Sequence, residues 1–208
     1  MRHFVYAGGA VHPEFITEHP KGEDIVIAAD SGYRNALLLG DKVDVLIGDF
    51  DSLGRENVPE GIQTVTLPEE KDVTDTQAAV ELALKDGASE IIIIGGLSGR
   101  PDHTISNLAI LEYLNRRGVH AVITDGASRA RFLRNSSELL FSCGFRYFSI
   151  IAADEKVRGL SIEGCKYPLN NAVLYREKQY AVSNEITGNC ALISVRKGGV
   201  WILETRDI

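Results

Sequence analysis

Short apolar runs and longer amphipathic stretches alternate through the first part of the chain. Residues 4–7, 25–28, 43–47 and 91–94 are brief, rich in β-branched or aromatic side chains, and too short for helices. Their near-continuous apolar character predicts strands buried on both faces of a parallel sheet. Between them, residues 32–40, 75–86 and 103–117 carry a helical period. In the last of these, Ile105, Leu108, Ala109, Leu111 and Leu114 form a broad apolar face, Arg116 and Arg117 stand in the final turn, and Gly118 is a stop. Strands alternating with helices predict an α/β layer with right-handed crossovers.

The period changes from about Ser136. Residues 139–141, 147–151, 157–162, 173–175, 191–195 and 200–203 are brief β-rich stretches. Turn-like punctuation separates them at Gly144, Gly159, Gly164, Pro168-Leu169-Asn170-Asn171, Gly188-Asn189 and Gly198-Gly199. The expected architecture is a parallel-sheet α/β (Rossmann-like) domain over residues 1–135, followed by a small antiparallel β-sandwich over residues 136–208. A β domain of about 70 residues buries little surface alone, so it is expected to pack against the first domain or another subunit.

Composition narrows the function classes. With 44% apolar and 25% charged residues in 208, the chain is an ordinary globular protein and not a disordered one. No apolar run approaches the roughly 18–20 residues that span a bilayer, and the first 30 residues lack a signal-peptide pattern, so no membrane association is expected. A net charge of −7 is a poor balance for a general nucleic-acid binder. Cys143, Cys165 and Cys190 are odd in number and lack metal spacing. They are expected as buried thiols of a cytoplasmic protein. The acidic excess is local: residues 41–75 hold 10 acidic and 3 basic side chains.

Ligands of parallel α/β sheets gather at the carboxyl ends of the strands, and several carboxylates fall there. Asp30 follows the second strand, Asp49 and Asp51 follow the third, and Lys71-Asp72-Val73-Thr74-Asp75 leads into a helix. Asp102 opens the next helix after the loop Gly95-Gly96-Leu97-Ser98-Gly99-Arg100-Pro101. Some of these have local explanations. Thr74 with Gln77 fits a capping box, Asp75 complements the helix dipole, and Asp102 fits an N-cap. Asp49 and Asp51 are harder to explain locally. In extended chain they face the same way about 7 Å apart, and two such charges repel by about 2 kcal/mol at an effective dielectric near 20. A divalent cation removes that penalty, and all-oxygen ligands suit Mg²⁺ carrying a phosphorylated substrate. The chain has no P-loop and no G-x-G-x-x-G. Gly95, Gly96 and Gly99 still permit close backbone approach to an anion, and Arg100 adds a forked donor. His103, at a helix start, fits a surface or hydrogen-bonding role.

Together, Ala29-Asp30-Ser31-Gly32, Ile47-Gly48-Asp49-Phe50-Asp51-Ser52, Lys71-Asp72-Val73-Thr74-Asp75-Thr76 and Gly95 to His103 resemble the thiamine pyrophosphokinase family. Gly164-Cys165-Lys166-Tyr167-Pro168-Leu169 and Val182-Ser183-Asn184-Glu185 look like its β-domain motifs, in the family's order. The resemblance implies transfer of pyrophosphate from ATP to the hydroxyethyl group of thiamine, in a homodimer with sites at the subunit interface. It implies Asp49, Asp51 and Asp72 as the Mg²⁺–phosphate group, and Asp75 and Asp102 as carboxylates facing thiamine, with Lys71 beside them. Asp30, Ser52, Lys71, Gly95, Gly96, Arg100 and His103 are implied on the nucleotide side. Tyr167 is implied as the aromatic that stacks on thiamine, with Ser183 and Asn184 as a contacting pair. Two positions depart from the family pattern: Asp30-Ser31-Gly32 replaces Asp-Gly-Gly, and Tyr167 stands where other members have Trp, the better cation–π partner. Two other readings stay open, a pyrophosphokinase for another hydroxymethyl heterocycle such as a pterin, and a non-catalytic thiamine or nucleotide sensor.

Overall fold

Each apolar run in the first half becomes a parallel strand. The computed structural model describes every residue except Glu69, Lys71 and Ile208, and Arg55 without its side chain. The chain divides into two compact units, Met1–Gly126 and Ala127–Ile208. The first contains β1 (Arg2–Tyr6), β2 (Ile25–Ala29), α1 (Gly32–Leu39), β3 (Val45–Gly48), β4 (Gln63–Thr66), α2 (Asp75–Lys85), β5 (Glu90–Ile94), α3 (Pro101–Asn115) and β6 (His120–Thr124). These strands pair in parallel in the order β4-β3-β2-β1-β5-β6. Phe4, Tyr6, Val26, Ala28, Leu46, Ile92 and Ile94 fill one core against it.

That order reverses between β1 and β5, which creates a crevice at their carboxyl ends. Two strands go beyond the sequence-based reading. The edge strand β4 is the polar sequence Gln-Thr-Val-Thr, mostly exposed, so it carries no apolar signature. β6 begins just beyond Gly118 and buries only its last residues. The face of α3 also differs from expectation. Asn107, Ile110, Leu111 and Leu114 are its buried residues, and Ile105 is 68% exposed. Apolar residues surround this helix, so their period could not fix its rotation.

The second unit contains β7 (Ser128–Arg134), β8 (Ser137–Phe141), β9 (Tyr147–Ala152), β10 (Lys156–Glu163), β11 (Leu169–Tyr175), β12 (Cys190–Lys197) and β13 (Gly199–Thr205). They form two antiparallel layers, β7-β13-β9 and β11-β10-β12-β8. Phe148, Ile150, Val200 and Ile202 of one layer and Leu140, Leu160, Ile162 and Ile193 of the other share a core. The expected boundary after residue 135 falls later than the observed one. β7 pairs with β13 along its whole length, and that pairing places it in the sandwich. Within the expected turn at Pro168 to Asn171, Leu169 to Asn171 instead begin β11. Asn171 sits at φ +47° where the register slips between Leu160 and Ile162, and its N–H donates to Ser161 Oγ at 3.0 Å. A residue read as turn punctuation thus serves a β-bulge.

Of the three thiols only Cys165 is buried; Cys190 is half-buried and Cys143 is exposed. No helix among the described residues is long and apolar enough to cross a membrane.

An ion network ties the two layers of the sandwich. Arg129 donates two bonds of 2.7 Å to Glu204, Arg131 lies 3.1 Å from the same carboxylate, and Arg131 also reaches Glu138 on β8 at 2.8 Å. Glu204 is 2% exposed. Removing one partner of a buried pair strands the other charge. Glu204→Ala should therefore lower unfolding stability by about 3 kcal/mol, measured as a shift of the urea midpoint. A change under about 0.5 kcal/mol would show that Arg129 and Arg131 find other partners.

Candidate active site

The floor of the candidate site is a contact between two glycine turns at the β1/β5 switch point. β1 runs into Ala7-Gly8-Gly9 and β5 into Gly95-Gly96. A Cβ on Gly9 would lie 2.2 Å from the Gly95 carbonyl oxygen, and one on Gly95 would lie 2.6 Å from that of Ala7. Only glycine permits this approach. Asn35 donates to the carbonyls of Ala7 and Gly9, both at 2.7 Å, and the buried Asn107 donates to that of Gly96 at 2.9 Å. A cleft of about 370 Å³ opens here, and Asp30, Ser52, Asp75, Gly95, Arg100 and His103 of the expected set line it. Gly8, Gly9, Ser31 and Asn107 line it as well. The sequence reading missed Gly8 and Gly9, although β1 was legible and the carboxyl-end rule points straight at them.

α2 presents its N-terminus to the same cleft through Thr74, Asp75 and Thr76. The expected cap is half realised. Thr74 Oγ1 accepts from Gln77 N at 3.2 Å, but the Gln77 side chain donates onward to Glu81 and does not reach back.

The acidic cluster is tighter than the sequence implied, and its membership differs. Carboxylate oxygens of Asp30, Asp49 and Asp51 all lie within 4.8 Å of one another. Asp49 and Asp51 do not sit on extended chain as expected. Phe50 adopts φ +63°, a left-handed conformation rare for an aromatic residue, and the chain turns so that Asp51 N donates to Asp49 Oδ1 at 3.3 Å. Asp30, also left-handed at φ +47°, accepts from Leu53 N at 3.1 Å. Gly48 lets the ends of β2 and β3 meet, since a Cβ there would lie 3.0 Å from that of Asp30. Asp30 and Asp49 are buried and Asp51 is exposed. At such separations each pair of charges repels by about 3 kcal/mol at an effective dielectric near 20, and by less at the exposed Asp51. Among the described residues Asp72 is outside this group and exposed, and Asp30 takes the third place. An all-carboxylate donor set of this kind fits a hard divalent cation.

Lys71 lies outside the described residues. Asp102 is exposed and is the second residue of α3, after Pro101. The N-cap position expected for it is held by Arg100, whose side chain makes no capping bond. Arg100 and Asp102 pair at 2.6 Å, and that bond, helped by the His103 N–H, holds the Asp102 carboxyl down at about 2.

The remaining expected residues lie in the sandwich, Tyr167 in the loop between β10 and β11 and Ser183 and Asn184 in the segment between β11 and β12. The Tyr167 side chain is 57% exposed, with Lys166 Nζ 5.6 Å from its ring centroid. Lys166 pairs with Glu185 at 2.7 Å. Ser183 is exposed at φ +55°, while Asn184 is buried and hydrogen-bonded to the backbone of Tyr167. Trp201 packs edge-on against Phe132.

Residues 17–123 match the family described as thiamin pyrophosphokinase, catalytic domain, and residues 137–200 match its vitamin B1 binding domain. The chain is 26% identical over 197 residues to the thiamine pyrophosphokinase of Bacillus subtilis (strain 168), covering 92% of each. It is 27% identical over 172 residues to thiamin pyrophosphokinase 1 of Caenorhabditis elegans, covering 78% of this chain and 70% of that one. The crystal structure of the Bacillus subtilis protein superposes with a TM-score of 0.88 at 24% identity over the full length of both.

The Arg100–Asp102 pair makes a pH-dependent prediction. A depressed carboxyl pKa means that the pair is intact at neutral pH and is lost only as pH falls through about 2. The Asp102 carboxyl resonance should titrate near that value, and Arg100→Ala should return it toward about 3.9. An unshifted midpoint in the parent protein would remove the ion pair.

Proposed function

The chain belongs to the thiamin pyrophosphokinase family, and from that premise we propose how its residues divide the transfer of pyrophosphate from ATP to the hydroxyethyl group of thiamine. The products, thiamine diphosphate and AMP, require the hydroxyethyl oxygen to attack the β-phosphorus while the bond to the α-phosphate breaks. The observation that carries the assignment is the triad Asp30, Asp49 and Asp51, which shares Asp30 with the glycine-floored cleft.

We assign these three carboxylates as the holders of a divalent cation. Mg²⁺ is the ion that suits them, because it binds through few carboxylates and takes further ligands from substrate phosphates. When bound, it supplies charge neutralisation to the phosphates and to the carboxylates themselves. The chain's own residues do the positioning. Gly8, Gly9, Gly95 and Gly99 line the cleft and admit the phosphates close to the backbone, the capped N-terminus of α2 offers N–H groups, and Arg100 adds a forked donor. Ser52 and His103 border the nucleotide. Asp75 and Asp102 supply negative charge toward thiamine, whose thiazolium ring is a fixed cation, and Tyr167 with Ser183 supplies an aromatic face and a hydroxyl. Little covalent chemistry is left to the protein in phosphoryl-type transfer, so orientation and charge compensation carry the rate. The working unit in this reading is a cytoplasmic homodimer with sites at the subunit interface.

Two measurements test this. Asp51→Asn should reduce turnover by roughly a hundredfold or more, at least what loss of an outer-shell partner of a metal ligand costs, and should leave the melting temperature unchanged or slightly higher because a repulsion is relieved. Full activity in excess chelator would remove the cation from the scheme, and ADP in place of AMP would identify a phosphate kinase.

Mixing Asp102→Ala chains with Tyr167→Ala chains tests the dimer. Shared sites give each mixed dimer one doubly defective and one intact site, so at thiamine well below the raised KM of Tyr167→Ala up to half of its activity returns. No recovery after verified subunit exchange would mean that each chain builds its site alone.

A further inference from the structure

Asn184 is 3% exposed and has no hydrogen-bonding capacity left for a ligand. Its Oδ1 accepts from Tyr167 N at 3.0 Å and from Glu185 N at 2.9 Å. Its Nδ2 donates to the Tyr167 carbonyl at 2.9 Å and to Cys165 Sγ at 3.3 Å. A carboxamide offers two acceptor sites and two N–H donors, and all four are used inside the protein. The main chain of Asn184 is equally committed. Its N–H and C=O pair with those of Phe148 on β9, at 2.8 and 2.9 Å.

One residue therefore joins β9 in one layer to the loop after β10 in the other. Neighbouring bonds reinforce the join: Lys166 N donates to Glu185 O at 2.9 Å, and Thr187 N to Gly164 O at 3.1 Å. The result at Tyr167 is a fixed backbone carrying an exposed ring. A stacking aromatic needs that combination, because a ring on a loose loop would lose ordering entropy when a cation binds.

We propose that Asn184 is a positioning residue for thiamine, making no contact with the substrate and acting by holding the Tyr167 ring in place. This departs from the contact role that the resemblance implies for it. It rests on the reading of Tyr167 as the thiamine-stacking residue.

The test is a double-mutant cycle read as KM against kcat, with folding of every variant checked by circular dichroism. Tyr167→Ala and Asn184→Ala should each raise the thiamine KM by about three- to thirty-fold, the range of a cation–aromatic contact. The ATP KM and kcat should change less than about twofold in both. The double variant should be no worse than Tyr167→Ala alone, because both changes remove the same interaction. Asn184→Asp supplies the second arm, since its carboxylate still accepts the two backbone N–H groups but cannot donate to the Tyr167 carbonyl. Its thiamine KM should rise at neutral pH and fall as the carboxyl protonates and donates again. A carboxylate in direct contact with the thiazolium would instead lower the KM at neutral pH. That result, or losses that multiply in the cycle while Tyr167→Ala remains impaired, overturns the positioning role and leaves Tyr167 in the site. Unchanged thiamine kinetics in Tyr167→Ala takes the ring out of the site and overturns both readings. Should Asn184→Ala fail to fold, the sign of the Asn184→Asp effect and its pH profile decide.

Discussion

Mutual repulsion among Asp30, Asp49 and Asp51 is the constraint around which the first unit is built. Three carboxylates with oxygens inside 4.8 Å do not gather unless the backbone gives them no alternative. β2 and β3 are locked side by side by ladder bonds, and the Asp30 N–H extends that ladder to the Ile47 carbonyl at 2.8 Å. Gly48 removes the side chain that would keep the strand ends apart. Phe50 is held left-handed with its ring buried at 5% exposure, a conformation that costs of order 1–3 kcal/mol. The apolar sheet beneath offsets that strain, so the same residues that make the core also make the acidic cluster.

The glycine turns obey a second close-approach rule at the same end of the sheet. Where strand order reverses, no crossover helix covers the carboxyl ends of β1 and β5, and the chain must leave in opposite directions. Gly9 and Gly95 meet there at a distance that excludes any side chain, and Asn35 and Asn107 bond the carbonyls that this packing would otherwise leave open. Backbone N–H groups, a helix N-terminus and the shared Asp30 then converge on one cleft. In the proposed reading, an anion carrying a divalent cation answers both the polar backbone and the repelling carboxylates.

The sandwich carries an exposed aromatic ring, Tyr167, on a backbone tied down by polar groups. Its core is small, and the Arg129–Glu204–Arg131–Glu138 network joins its two layers where apolar side chains run out. Asn184 makes a second join at the loop after β10. In Asn184 every donor and acceptor of the carboxamide is matched, which is what lets it be buried. Tyr167 can then remain exposed without being loose.

The sequence by itself determined much of this protein. Apolar runs at 4–7, 25–28 and 91–94 mark buried parallel strands because burial on both faces leaves no polar alternation. The shift to short, turn-punctuated segments marks the sandwich, and Asp49 with Asp51 stands out because like charges two residues apart need a reason. Tertiary structure decided what depends on partners distant along the chain. Asp30 joins Asp49 and Asp51 only through the β2–β3 register. Gly9 gains its meaning from Gly95, more than eighty residues away, and Gly8 from Ser31. The rotation of α3 was open because apolar side chains surround it, so packing against the sheet chose the buried face. Three of the four hydrogen bonds that saturate the Asn184 carboxamide likewise exist only between segments distant along the chain. Periodicity reports which face of an element is apolar, whereas strand register, left-handed φ values and hydrogen-bond saturation are properties of the folded chain and have no period to read.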